Sequence, residues 1–329
     1  MPQSSYVYAC ARISALENGL LDRKTVKRMA DGSLEDAMRI LLDARYGGIP
    51  DATAADCERM IENVRRQTAL DIRELSPEPE LTDLFLLATD IHNLKLLIKA
   101  RLLEQGDVEF LEGGLYEREQ LKTAVAEQDY RLLPRQLAEA LNALEDRLKV
   151  EVQPQRVSVA LDQAYLAYAL ATAKKCKDAF AIDYFRALCD FDNLITFLRL
   201  RAMGGAREDL RSVLLPEGGI RHDALYQAYE LPDESLQRVL SDSPARGALA
   251  DGLAELQKTG NIGALERARE NYLLSLVSAH KHDIESVYRI VGYLLARDRE
   301  AKAVRLIVTV KRNGLDDAVI QERLCELYG

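Results

Sequence analysis

Glu17–Lys27 reads ENGLLDRKTVK, and the same pattern returns without a gap as EGGLYEREQLK at Glu112–Lys122. Five of the eleven positions are identical, whereas ordinary composition would give less than about one identity in such a window. A third copy of the opening residues begins at Glu217–Ile220. The chain therefore repeats itself three times, which is typical of a scaffold or an assembly part.

The far end of each repeat can also be aligned. The segment Asp83–Arg101 matches Asp183–Arg201 at an offset of 100 residues, whereas Glu300–Arg305 matches Asp90–Lys95 only in pattern. The identical pairs are Asp83/Asp183, Phe85/Phe185, Asp90/Asp190, Asn93/Asn193, Leu94/Leu194 and Arg101/Arg201. We expect one domain built of three repeats, at residues 1–110, 111–215 and 216–329, each large enough to be a small helical subdomain.

Helical periodicity runs through nearly the whole chain. Ser33–Asp36 predicts a helix N-cap with an acid at the third position, and Cys57–Leu75 carries a stripe at 4-3-4-4-3 spacing. Breaks at 152–154 and at 260–261 predict two helical hairpins. No alternating run of β-branched residues predicts a strand, so the sequence indicates an all-α fold. We expect the repeats to pack as one closed body, because closure would bury the apolar faces of single repeats; an open row is the alternative, but it would need polar caps at its ends.

Composition excludes several classes of protein. The net charge of −9 over 329 residues argues against a nucleic-acid partner. Five scattered cysteines without a CxxC pair predict free thiols in a reducing compartment. The N-terminus does not resemble a signal peptide, and no apolar run approaches the roughly 18 residues needed to cross a bilayer. We therefore expect membrane contact only through partners.

Motifs that bind cofactors or metals are missing from the sequence. No GxxxxGK[ST], GxGxxG, GxSxG or HExxH pattern occurs. His280 and His282 stand two apart, so on a helix they point to different sides and are better interpreted as solvated residues than as metal ligands. The sequence therefore predicts no catalytic residue, no metal site and no cofactor.

A prenyl-transferring enzyme is the catalytic alternative for an all-α chain. Such enzymes hold Mg²⁺ on DDxxD motifs, and the nearest match here is Asp190-Phe191-Asp192-Asn193. Asp190 and Asp192 would diverge on a helix, and the first repeat has His92 where the second has Asp192. The motif therefore gives this alternative little support.

The repeated acid and asparagine need an explanation of their own. The structural interpretation is that Asp90 and Asp190 lie near helix starts, where they complement the helix dipole. Asn93 and Asn193 would then hydrogen-bond to a neighbouring turn. Glu300 stands at the same place in the third repeat.

Cations follow this motif in every repeat. They are Lys95, Lys99, Arg101, Arg199, Arg201, Arg305 and Lys311. If the repeats pack around an axis, these cations would form a broken ring at one end, which could steer an acidic partner or lie near lipid headgroups. They are the candidate partner-contact residues.

Three segments strongly resemble the C-type subunit of the bacterial and archaeal V/A-type ATPases, whose eukaryotic counterpart is the d-type subunit of the V-ATPase. They are YVYACARISALE at Tyr6–Glu17, the helix His92–Leu97, and the closing stretch from Arg305 to Tyr328 with RLI, KRNGL and LCELY. Their order and spacing carry the resemblance over nearly the whole chain.

The resemblance implies an all-helical, funnel-shaped protein with three similar subdomains around a pseudo-three-fold axis. It implies a non-catalytic rotor subunit of the central stalk, peripheral at the cytoplasmic face of the membrane. The expected partners are the proteolipid (c/K) ring and the D- and F-type stalk subunits, and the expected role is to couple rotation to proton or sodium transport. Two residues depart from strict three-fold symmetry, since Ala303 replaces the asparagine and Ile195 replaces the cation that would match Lys95.

A freestanding helical adaptor that binds other proteins or peptides is the alternative function. Such an adaptor would show a long exposed apolar groove, and its loss would leave ion pumping intact.

Overall fold

The computed structural model describes residues 5–106, 108–232, 235–284 and 286–328. Within these ranges the chain is helical and contains no strand, so the all-α prediction is confirmed. The α-helices are α1 Tyr6–Glu17, α2 Arg23–Asp31, α3 Leu34–Asp43, α4 Cys57–Leu75, α5 Pro79–Leu102, α6 Arg118–Glu127, α7 Arg135–Val150, α8 Pro154–Cys176, α9 Ala179–Ala202, α10 Arg207–Val213, α11 His222–Ala228, α12 Leu236–Leu240, α13 Arg246–Thr259, α14 Gly263–Ser278, α15 Val287–Arg312 and α16 Ala318–Arg323. Two short 3-10 helices span Tyr46–Gly48 and Ala54–Asp56.

Local signals in the sequence correspond to helix ends in the structure. The Ser33 hydroxyl accepts a hydrogen bond from the Asp36 N–H at 3.1 Å, and the Asp36 carboxylate accepts one from the Ser33 N–H at 3.1 Å. Both predicted breaks are confirmed, because α7 and α8 are separated at 151–153 and α13 and α14 at 260–262. Gly260 ends α13 with a φ of 70°, a conformation that glycine adopts at little cost.

The described residues form two compact units. The first comprises Met1–Leu86, Leu111–Leu115 and Leu274–Gly329, and the second comprises Leu87–Phe110 and Tyr116–Leu273. The division into repeats at 1–110, 111–215 and 216–329 stays a prediction.

The first unit is built around the packing of α4 against α15. Buried apolar residues of α2, α3, α4 and α15 form one cluster, with Met29, Leu41, Ile61 and Ile307 fully buried. A second cluster joins α1 to the same two helices through Ile13. Burial of these side chains removes them from water and supplies most of the stabilisation of such a unit.

The second unit has an aromatic core along α9. Phe185, Phe191 and Phe197 are all fully buried. The Phe185 ring meets Tyr165 of α8 edge-on at a centroid distance of 6.2 Å, and the Phe197 ring meets Tyr229 edge-on at 5.4 Å. Edge-on aromatic pairs favour one packing arrangement over others, so α9 has a defined orientation among its neighbours.

Candidate functional site

Three buried acids lie at the centres of long helices. Asp90 is midway along α5, Asp190 midway along α9 and Glu300 midway along α15, and each is at most 1% exposed. The predicted location of Asp90 and Asp190 near helix starts is therefore wrong, since α5 begins at Pro79 and α9 at Ala179. The helix dipole acts only within the first turn, so other groups must satisfy these carboxylates.

Asp190 binds the third glycine loop of the sequence repeat. Its carboxylate accepts hydrogen bonds from the N–H of Gly219 at 2.9 Å and of Ile220 at 2.9 Å, and from the Ser243 hydroxyl at 2.6 Å. We call such a contact between a helix-centre acid and the glycine loop of the next repeat a loop anchor. Burial raises the pKa of Asp190, and the hydrogen bonds from Ser243, Ile220 and Gly219 oppose that rise.

The loop approaches α9 so closely that a side chain cannot fit at Gly218. A Cβ placed there would lie 2.3 Å from both the Arg186 carbonyl oxygen and Asp190 Oδ1. The Arg186 side chain also donates from Nε to the Gly218 carbonyl at 3.2 Å. The repeated glycine pair therefore serves close backbone contact at this anchor.

Glu300 binds the first glycine loop by different chemistry. Its carboxylate accepts a hydrogen bond from the Leu21 N–H at 2.6 Å and pairs with Arg297 at 2.8 Å. Arg297 also donates to the Gly19 carbonyl at 3.0 Å, so the loop is held through both an N–H and a C=O group. Burial raises the pKa of Glu300, and Arg297 and the Leu21 N–H oppose that rise.

Asp90 completes the set with the second glycine loop. Its carboxylate accepts a hydrogen bond from the Tyr116 N–H at 3.3 Å, which is longer than the corresponding bonds of Asp190 and Glu300. In terms of the predicted repeats, the acid of the first holds the loop of the second, that of the second holds the loop of the third, and that of the third holds the loop of the first.

The repeated asparagine holds the chain just before the glycine loop. Asn193 Oδ1 accepts from the Leu215 N–H at 2.7 Å, and Asn193 Nδ2 donates to the Leu215 carbonyl at 3.3 Å. Asn93 is buried at the equivalent place in α5, whereas the third repeat has the buried Ala303. The third repeat therefore lacks this side-chain bond to its neighbouring segment.

All seven candidate cations interact with other groups of the chain. The pairs are Lys95 with Asp162, Lys99 with the Ser158 hydroxyl at 2.7 Å, Arg101 with Glu145 at 2.6 Å, Arg199 with Glu266 at 2.5 Å, Arg201 over the Phe197 ring at 5.4 Å, Arg305 with Glu58 at 2.7 Å and Lys311 with Asp317 at 3.4 Å. The structure thus gives each cation its own partner, and any external acid would have to compete with that partner.

Three of these pairs join a helix that carries one of the buried acids to a helix of the next predicted repeat. Lys95 links α5 to α8, Arg199 links α9 to α14, and Arg305 links α15 to α4. Lys95 and Arg305 occupy equivalent sequence positions, and the second repeat has the buried Ile195 there. Arg199, one helical turn further along α9, carries the second repeat's link instead.

The acids considered for metal binding have other roles. The Asp192 carboxylate pairs with Arg269, whereas Asp190 faces the glycine loop. His280 Nδ1 lies 2.9 Å from Asp283. Among the described residues, no three His, Cys, Asp or Glu side chains converge as a metal site.

Sequence reasoning missed three residues that complete these contacts. Ser243 and Glu145 are distant in sequence from the groups they bind, and no local pattern points to them. Arg297 could have been found, because a cation three residues before Glu300 on a helix lies on the same face.

These features define an all-helical protein whose buried charges hold its own loops and helices. Among the described helices, none combines the length and the hydropathy required to span a bilayer. Comparison with known families assigns the class: residues 9–323 match the model of the family described as ATP synthase (C/AC39) subunit. The chain belongs to this family, and it is therefore a subunit of a V/A-type ATPase complex, which is membrane-associated.

Relatives with this assignment occur in bacteria and archaea. The C subunit of the V-type sodium ATPase of Enterococcus hirae is 23% identical over 319 residues, covering 96% of this chain and 97% of that protein. The C subunit of the V-type ATP synthase of Thermus thermophilus is 25% identical over 332 residues, covering 97% and 98%. The C subunit of the A-type ATP synthase of Pyrococcus abyssi is 22% identical over 339 residues, covering 98% and 90%.

Proposed function

We propose that the chain is a non-catalytic rotor subunit of the central stalk of a V/A-type ATPase. It couples the rotating D- and F-type stalk subunits to the proteolipid ring of the membrane sector, and so to proton or sodium transport. It acts at the cytoplasmic face of the membrane as a peripheral subunit. The observation that carries this proposal is the family match, which extends from residue 9 to residue 323.

The order of the loop anchors supports a three-fold architecture for this rotor part. Asp90, Asp190 and Glu300 each bind the loop of the next repeat, and the third returns to the first. Three similar subdomains around a pseudo-three-fold axis, with a funnel shape, would use the anchors in this cyclic order.

A rotor part that couples two sectors must transmit torque without yielding. Buried carboxylates that accept several hydrogen bonds resist displacement, because breaking them would leave polar groups unpaired away from water. The ion pairs of Lys95, Arg199 and Arg305 connect the helices that carry the buried acids to further helices. These contacts support the stiffness that a torque-transmitting rotor part requires.

Reconstitution of the complex tests the proposal directly. The complex is assembled in lipid vesicles with and without the full-length chain, and ATP hydrolysis and ATP-driven ion uptake are measured together. We expect loss of ion uptake without the chain, with continued hydrolysis by the catalytic sector. The proteolipid ring should also fail to co-purify with the stalk. Unchanged ion uptake would favour the adaptor function instead.

The seven cations remain our proposed partner contacts, with a graded accessibility. The Arg199 side chain is 54% exposed although it is paired, whereas the Lys311 side chain is only 6% exposed. Arg199 can therefore exchange its internal partner for an external acid far more readily than Lys311.

A matched pair of variants separates partner binding from internal pairing. Lys95→Gln, Arg199→Gln and Arg305→Gln together remove the cations, whereas changing Asp162, Glu266 and Glu58 to their amides breaks the same three internal pairs and keeps the cations. If the cations contact an acidic partner, only the first variant should weaken ring binding and flatten its salt dependence. Equal losses in both variants would assign the three cations a purely internal role.

A further inference from the structure

Helix α2 differs from the other helices considered above in the state of its cations. Arg23, Lys24, Lys27 and Arg28 are all exposed, and among the described residues none of them forms an ion pair. Their spacing puts all four on one side of a nine-residue helix. The opposite side, with Val26, Met29 and Ala30, is buried.

This charge pattern works against the stability of α2 itself. Arg23 with Lys27 and Lys24 with Arg28 are like-charge pairs one turn apart, which destabilise a helix. Arg23 and Lys24 also stand in the first turn, where cations oppose the helix dipole. Asp22 offsets part of this effect, because its carboxylate accepts the Thr25 N–H at 2.7 Å. The first turn itself contains no acid.

The other repeats provide an internal comparison. Helix α6 begins at the corresponding place in the second repeat and has Glu119 in its first turn, which pairs with Lys122 at 3.7 Å. Helix α11 in the third repeat has Asp223 in its first turn. Only the first of these three described helices carries four unpaired cations, so the repeat architecture does not require them. Residues that lower the stability of their own helix are expected where they serve a function.

A cleft lies directly beside the charged side of α2. Arg23, Val26, Lys27 and Ala30 form one wall, and the segment 324–327 together with Gln321 forms the other. Its volume is about 300 Å³, enough for one large aliphatic side chain. A binding surface with a small apolar recess and a charged rim is the usual anatomy of a protein interface.

We propose that the outer side of α2 docks an acidic protein segment, whose carboxylates meet Arg23, Lys24, Lys27 and Arg28 while one of its apolar side chains enters the cleft. A protein segment fits better than an anionic lipid surface for two reasons. The apolar residues of α2 are buried and offer nothing to insert among acyl chains. The cleft beside these residues is also shaped to take one side chain, since Val26 and Ala30 on one wall face Leu324 and Leu327 on the other. The proposal does not depend on the rotor function.

Peptide binding to the full-length chain tests the proposal. The probe is a labelled peptide with a leucine flanked on both sides by glutamates, and its affinity is measured by fluorescence anisotropy at about 20 and about 200 mM salt. One variant carries Arg23→Gln, Lys24→Gln, Lys27→Gln and Arg28→Gln. The matched control carries Arg147→Gln, Arg156→Gln, Lys174→Gln and Lys177→Gln, which removes the same charge from exposed positions elsewhere.

We expect the α2 variant to bind the peptide about tenfold or more weakly at the lower salt, with a flatter salt dependence. The control should bind like the unchanged protein, and replacing the peptide's leucine by serine should weaken binding to both of them. The melting temperature of the α2 variant should not fall, because like-charge pairs have been removed.

Three results would overturn the proposal. The first is equal loss of binding in the α2 variant and the control, which would mean attraction by general charge. The second is unaltered peptide binding by the α2 variant. The third is α2-dependent binding to phosphatidylserine-containing vesicles without α2-dependent binding to the peptide, which would assign this face to lipid.

Discussion

The Asp190 and Glu300 anchors perform the same task with different chemistry. Asp190, in the second unit, is satisfied by the uncharged donors of Gly219, Ile220 and Ser243. Glu300, in the first unit, accepts one backbone N–H and pairs with a cation. The comparison teaches that both acids occupy the same place in their helices and both bind a glycine loop. The groups that stabilise the buried carboxylate differ between the two sites.

Removing the Asp190 carboxylate should have the largest effect on stability. In Asp190→Ala the N–H groups of Gly219 and Ile220 and the Ser243 hydroxyl lose their acceptor inside the protein, which we expect to cost ~4 kcal/mol of unfolding free energy. Urea unfolding followed by circular dichroism measures this cost. The neighbouring exposed Asp242→Ala is the control and should change stability by less than ~0.5 kcal/mol. A similar small change for both would show that the anchor contributes little.

Neutral isosteres should separate the two anchors most clearly. Glu300→Gln leaves the half-buried Arg297 without its carboxylate and should cost ~3 kcal/mol. Asp190→Asn breaks no close ion pair like that of Glu300 with Arg297 and retains an oxygen for the loop N–H groups, so it should cost only ~1 kcal/mol. Both values come from the same urea unfolding experiment. Equal costs, or a larger cost for Asp190→Asn, would contradict the distinction drawn between the anchors.

The glycine loops should differ in their tolerance of a methyl group. At Gly218 an added Cβ would meet a carbonyl oxygen and Asp190 Oδ1 at 2.3 Å, whereas at Gly19 its nearest neighbour is the flexible end of Arg297 at 3.3 Å. Gly218→Ala should therefore cost ~2 kcal/mol, and Gly19→Ala less than ~0.5 kcal/mol. Melting curves of the two variants, recorded side by side, give the comparison. Equal melting temperatures would indicate that the loop near α9 can shift.

The smallest expected effect is a pH dependence that belongs to Asp190. Burial raises the pKa of Asp190 in the folded protein, so between the ordinary value near ~4 and the raised value the folded state binds more protons than the unfolded state. Its contribution to stability therefore falls as pH rises through this window. The unfolding free energy of the unchanged protein minus that of Asp190→Asn should therefore be larger at about pH 5 than at about pH 7.

Glu300 serves as the internal control for this measurement. Burial also raises the pKa of Glu300, but Glu300 is present in both proteins, so its titration cancels in their difference. The prediction fails if the stability difference is larger at the higher pH or does not change.

The sequence predicted the helices well because their signals are local. The Ser33 N-cap, the stripe along Cys57–Leu75 and the break before Pro154 each depend on residues a few positions apart. The repeated segments also pointed to Asp90, Asp190 and Glu300 as equivalent acids and to Asn93 and Asn193 as equivalent asparagines. The predicted location of Asp90 and Asp190 near helix starts was wrong, because helical periodicity without a clear capping residue does not show where a long helix begins.

The partners of the charged residues could not be predicted in the same way. Lys95 and Asp162, or Arg305 and Glu58, are far apart in sequence and meet only because their helices pack side by side. The sequence around a lysine or arginine therefore does not indicate whether an acid from a distant helix will pair with it in the folded protein. The contrast between these paired cations and those of α2 appears only in the tertiary structure.

The sequence by itself determined that this chain is all-α and that it resembles one family of ATPase subunits, and its internal similarity predicts three repeats. Periodicity, capping and internal similarity are properties of neighbouring or aligned residues, so they are readable before folding. Tertiary structure decided which loop each buried acid holds and which cations stay accessible. Those outcomes depend on packing and on the cost of leaving a buried charge or N–H group without a partner.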